Sequence, residues 1–165
     1  MSKNLFGYIP PRPKWNDEIK KELAKRVGKI VCDWADDGTD LQDCIDYSQE
    51  ILEYNSNDNG YELAKEFEEK GFSPDAYLVD SLDDVGYIKD SVIKDCIKKW
   101  VVDNSLKLDL KIGQIVTAEI RRKGKIQCEI VKLYPETMQY GLWYEESGCE
   151  RDAWCQITNY EEVQL

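Results

Sequence analysis

Apolar residues recur along the chain with two different periods. From Asn16 to about Asn104 the spacing is helical: Ile19, Leu23, Val27, Ile30, Val31 and Trp34 repeat at three- and four-residue steps, and so do Leu41, Cys44, Ile45, Ser48, Ile51 and Leu52. Two shorter helices are predicted at Tyr61 to Lys70, with Leu63, Ala64 and Phe67 inward, and at Pro74 to Asp84, with Leu78, Leu82 and Val85 inward. Ser73-Pro74-Asp75 reads as a start signal, because serine caps and proline fits the first helical position. A fifth helix, about Tyr87 to Asp103, carries a stripe that includes Ile88, Val92, Cys96, Trp100 and Val101. Asp36-Asp37-Gly38-Thr39, the run from Asn55 to Gly60, and Lys70-Gly71-Phe72-Ser73 hold the turn residues that let short helices reverse.

Beyond Leu106 the period falls to two. Val116, Ala118 and Ile120 alternate with Thr117 and Glu119, and Ile126, Cys128 and Ile130 alternate with Gln127 and Glu129, as in half-buried strands. Strands are predicted at 114–120, 125–133, 139–145, 151–157 and 162–165, with Gly124, Pro135 and Gly148 in the gaps. In number and spacing these five strands resemble the small SH3-like barrels that include Tudor and KOW modules, a likeness that covers about the last third of the chain. The expected class is therefore α+β. It consists of an extended arm at 1–15, an acidic bundle of about five short helices at 16–106, and a five-stranded SH3-like or Tudor-like small β-barrel at 107–165.

Pro10-Pro11-Arg12-Pro13 favours polyproline II, which makes Leu5 to Trp15 an extended segment. It reads as an arm packed on its own domain by Phe6, Tyr8, Ile9 and Trp15, with an SH3-ligand role as the alternative. The first 18 residues have no apolar leader core, and no stretch approaches the roughly 20 apolar residues of a membrane span. Six cysteines are dispersed over the chain without a C-x-x-C pair, and Cys32, Cys44 and Cys96 sit at apolar helical positions. They are expected as free thiols in a cytoplasmic protein, ahead of disulfide or metal use.

Charge is distributed unevenly. The chain has 33 acidic and 22 basic residues, for a net of -11, yet residues 1–32 carry +5 and residues 33–64 carry -10 without one Lys or Arg. Within that acidic segment Asp43, Asp46, Glu50 and Glu53 follow 3-4-3 spacing, which places them on one helix face, and Asp36, Asp37 and Asp40 lead into the row. Asp43 to Glu53 spans about 15 Å at helical rise, or about 5 Å per charge. A nucleic-acid strand places phosphates about every 3.4 Å. Like charges at these spacings cost a helix a few tenths of a kcal/mol per pair. Two readings follow: a face that meets a basic surface, or a solvated face that keeps an acidic protein dispersed.

The opposite sign is concentrated at Arg121-Arg122-Lys123-Gly124-Lys125, in the first predicted hairpin. These cations suit either phosphate contact or an ordinary soluble turn that protects a sheet edge. Tyr134, Tyr140, Trp143, Tyr144, Trp154 and Tyr160 make the same third aromatic, with core packing the first expectation and a cage for a methylated cation, helped by Glu145 and Glu146, the second. The runs 36–40 and 55–62 hold oxygen ligands and glycines, but neither follows the order of a calcium loop.

The chain contains no histidine, which excludes Ser-His-Asp and Cys-His catalysis, His-ligated metals and an imidazole switch. Phosphate-binding glycine loops and the G-x-S-x-G elbow are absent as well. Carboxylate pairs such as Asp83 and Asp84 are abundant, but nothing in the sequence sets one pair apart. The expectation is a non-enzymatic protein without cofactor or metal, whose acidic helical face binds a protein with a basic, nucleic-acid-binding surface. In size, acidity and lack of catalytic motifs it is similar to phage-encoded anti-restriction and anti-CRISPR inhibitors, some of which mimic nucleic acid. The alternative is a nucleic-acid-binding accessory factor that works through Arg121, Arg122, Lys123 and Lys125.

Overall fold

The computed structural model describes residues 3–4, 7–8, 10–35, 38–54, 59–120, 122–145 and 155–164. Short paired strands β1 (Lys3–Asn4) and β2 (Gly7–Tyr8) come first, and then five helices: α1 (Asp17–Ala35), α2 (Leu41–Tyr54), α3 (Gly60–Glu69), α4 (Ala76–Asp83) and α5 (Val85–Asp103). An antiparallel sheet follows, made of β3 (Ile115–Ile120), β4 (Gly124–Tyr134), β5 (Gln139–Trp143), β6 (Gln156–Asn159) and β7 (Val163–Gln164). The class is α+β. Contacts divide the chain into two compact units, residues 11–96 and residues 1–10 with 97–165.

The unit of residues 11–96 is built on the apolar stripes. Ile19, Leu23, Val27 and Val31 of α1, Cys44 and Ile51 of α2, and Leu63, Phe67, Leu78, Leu82, Val85 and Val92 of the later helices close one core. Side-chain caps start the helices: Asn16 accepts from the Ile19 amide at 2.9 Å, Asp40 from Gln42 at 2.7 Å, and Asn59 from Tyr61 at 2.9 Å. At α4 the cap is Asp75, which accepts from the Leu78 amide at 3.0 Å, so the helix begins at Ala76 rather than Pro74 and Ser73 lies outside it. Leu41, expected inward, is exposed because it opens α2. Gly28 allows α1 and α2 to touch backbone to backbone, since a β-carbon there would lie 2.7 Å from the Ile45 Cα.

In the unit that holds the sheet, strand order is β6-β5-β4-β3-β7 and the sheet curls into a half-barrel. Ile115 to Ile120 pairs with Glu129 to Gly124, and the pairing of β4 with β5 slips one residue between Ile130 and Lys132, a bulge that bends β4. The concave core holds Val116, Ala118, Ile120, Cys128, Ile130, Tyr140 and Leu142. Of the expected five-stranded small barrel the described strands form this half-barrel, with β6 and β7 at its edges. β7 has two residues and reaches only Thr117 and Ala118. The fourth strand begins at Gln156, and residues 151–154 of the expected strand fall outside the described set.

Candidate interaction surface

Helix α2 owes its orientation to α1. Cys44, Ser48 and Ile51 are buried, with the Ser48 hydroxyl donating to the Cys44 carbonyl at 2.7 Å, and the close approach at Gly28 fixes the rotation of the helix. The opposite face consequently carries Asp43, Asp46, Glu50 and Glu53, all exposed. Asp36 and Asp37 lie outside the described residues. Asp40 is exposed too, but its carboxylate is engaged in capping α2.

Two features alter the simple picture of a bare row. Lys70, which follows α3, reaches the Glu50 carboxylate at 2.6 Å, so a cation from another element offsets one charge that has no basic neighbour in its own helix. Gln42 donates to Asp46 at 2.8 Å. Sequence spacing has no means of placing Lys70, because the pair is 20 residues apart and depends on the α3 turn. There Gly71 has φ +96°, Phe72 returns its amide to the Phe67 carbonyl, and the Phe72 ring meets Phe67 and Tyr47 edge-on. The macrodipole favours Asp43 near the start of α2 and disfavours Glu50 and Glu53 near its end, where the last turn has no basic residue.

Arg121 lies outside the described residues. At the β3–β4 turn Arg122 has φ +70° and Gly124 φ +75°, and the Lys123 amide closes the turn on the Ile120 carbonyl. The Lys123 ammonium sits 5.0 Å above the Tyr144 ring. Lys125 is opposite Glu119 and shares a surface hollow with Glu161 and Glu162. The hairpin thus exposes cations, but Lys125 has carboxylates for neighbours.

The aromatic residues of the sheet unit have separate surroundings where these are described. Tyr140 is buried in the sheet core, its hydroxyl donating to Asp109 at 3.1 Å and accepting from the Leu110 amide at 3.3 Å. Burial, with Asp109 adding to it, raises its pKa above that of an ordinary tyrosine. Tyr134 lies 4.0 Å from the Cys155 sulfur, and Tyr160 packs against the core. Trp154 and Glu146 are outside the described residues. Cys32, Cys44, Cys96, Cys128 and Cys155 are free thiols, and burial raises the Cys128 pKa. Among the described residues no cluster of potential ligands could hold a metal, and no helix is long and apolar enough to cross a membrane. The run 36–40 and the run 55–62 are described only in part.

No protein-family model, curated protein or solved structure matches the chain.

Proposed function

We propose that the protein is a non-enzymatic binding protein whose α2 carboxylate face engages a basic, nucleic-acid-binding partner and blocks or modulates it, in the manner of phage-type anti-defence (anti-CRISPR-like) inhibitors. The observation that carries this reading is the row Asp43, Asp46, Glu50 and Glu53: four exposed carboxylates in register on one helix, held outward by a buried opposite face. The arrangement costs the helix local stability through like-charge repulsion and an unfavourable end of the macrodipole, and a binding role accounts for that cost. In the same reading the curled sheet is an SH3-like, Tudor-like module that supplies a second contact surface, and the protein acts in the cytoplasm. The carboxylates around Lys125 weigh against the β3–β4 hairpin as a polyanion site.

Charge reversal tests the proposal. Asp43, Asp46, Glu50 and Glu53 are changed to Lys, and wild type and variant are used as bait in extract of the native host. Wild type is expected to retain basic proteins that elute with rising salt, and the variant to lose them. Partners held equally by both proteins contradict the proposal. So does direct, salt-sensitive binding of DNA or RNA that is abolished by changing Arg122, Lys123 and Lys125 to Ala.

A further inference from the structure

Outside the α2 row, the unit of residues 11–96 carries three neighbouring hollows that share lining residues. The first, about 370 Å³, lies between Trp34, Asp43, Tyr47 and Phe72. Trp34 is also a wall of the second, about 380 Å³, which continues over Ile30, Asp33, Tyr77 and Asp84. The third, about 710 Å³, shares Ile30, Asp33, Asp84 and Ile88 with the second and ends at Tyr87, Lys29 and Arg26. The floor is apolar where Ile30 and Ile88 meet. Tyr77 and Tyr87 stand 70% and 77% exposed on its banks, far more than packing requires.

The charges along this channel fall into two groups. Arg26 is engaged by Asp95 at 2.8 Å and Ser91 at 3.2 Å, and Lys70 by Glu50 at 2.6 Å. The Asp75 carboxylate beside Trp34 accepts from the indole at 3.0 Å and from the Leu78 amide at 3.0 Å. By contrast, the carboxylates of Asp33, Asp43 and Asp84 have no hydrogen-bond or ion-pair partner among the described residues. These hollows therefore combine open aromatic faces with open carboxylates; of their three cations Arg26 and Lys70 are paired, and Lys29, at the far end of the third hollow, has no ion-pair partner among the described residues.

We infer that this channel receives an extended, arginine-bearing peptide segment of a protein partner. A guanidinium is planar, stacks on aromatic faces and offers a fork of donors to a carboxylate, so hollows lined by both Asp33 and Asp84 and by Tyr77 or Tyr87 suit arginine. The aliphatic stem covers Ile30 and Ile88. Exposed tyrosines beside a small apolar floor have the composition of a binding hot spot. Asp43 belongs both to the first hollow and to the α2 row, so the channel extends the proposed acidic face around Trp34. The inference rests on that reading for the basic character of the partner, yet it places the recognition of arginine on different residues.

An unstructured peptide of alternating Arg and Gly, titrated into the full chain by calorimetry at about 150 mM salt, tests it, with the Lys-Gly peptide as control. The arginine peptide is expected to bind more tightly than the lysine peptide. Tyr77→Ala with Tyr87→Ala, and separately Asp33→Asn with Asp84→Asn, are each expected to weaken it by about tenfold or more. All four positions are exposed, so these variants keep the core intact. Asp46→Lys with Glu50→Lys is expected to change the affinity by less than about threefold. Absence of binding, equal affinity for the two peptides, or binding by the channel variants within about twofold of wild type overturns the inference. Loss confined to the α2 variant overturns it while leaving the proposed function standing, and the role of the row is read separately, by the capture experiment with the charge-reversed protein.

Discussion

Asp75 is a residue whose two hydrogen bonds have a measurable consequence. The Leu78 amide, and with it the Trp34 indole, holds its carboxylate below the ordinary pKa. A depressed folded-state pKa contributes stability that is present above the unfolded value of about 3.9 and disappears as pH falls through the folded value. Asp75→Asn keeps a capping oxygen but cannot ionise. The melting temperature of wild type is thus expected to exceed that of Asp75→Asn at neutral pH and to converge on it below about pH 4, whereas Asp75→Ala stays lower throughout because it cannot cap. Thermal unfolding followed by circular dichroism between neutral and acid pH checks this, and a constant gap between wild type and Asn would contradict it. The cap also marks how far single residues were legible. Ser73-Pro74-Asp75 announced a helix start, but serine and aspartate are both good caps. Only the fold, by setting Asp75 under both Leu78 and Trp34, distinguishes them. The roles of Gly28 and Lys70 were illegible because both depend on partners in another element.

Among the elements, α2 is the one whose composition works against its own stability. Asp46→Lys replaces two like-charge neighbours, Asp43 at three residues before and Glu50 at four residues after, with opposite-charge pairs. The substitution is expected to stabilise the unit of residues 11–96 by a few tenths of a kcal/mol, even after loss of the Gln42 hydrogen bond, and at the same time to weaken partner binding. Denaturant unfolding beside a binding assay separates the two effects. A variant that is more stable and binds undiminished would mean that the row is only a solvated face. Five helices were readable at this scale because each stripe, such as Leu63, Ala64 and Phe67, is continuous and ends at a turn signal. The strands were readable from alternation at Val116, Ala118 and Ile120, but the half-barrel with β6 and β7 at its edges was not. Whether a sheet closes depends on strand length and on the slip after Ile130, and alternation encodes neither.

For the whole molecule, a net charge of -11 is less informative than its placement. The segment of residues 33–64 alone carries -10, and it runs from the end of α1 through α2 to the start of α3. The adjoining channel about Trp34 adds open carboxylates and tyrosines to that side of the same unit. The basic hairpin belongs to the other unit, where Lys125 lines a hollow with Glu119, Glu161 and Glu162. Carboxylate footprinting of the protein with and without its captured partner tests the central claim most directly, because carbodiimide labelling reads each acidic side chain separately. Asp43, Asp46, Glu50 and Glu53 are expected to lose labelling in the complex, while Glu119 and Glu136 label as in the free protein. Unchanged labelling along α2, with protection found instead around the β3–β4 hairpin, would contradict the account.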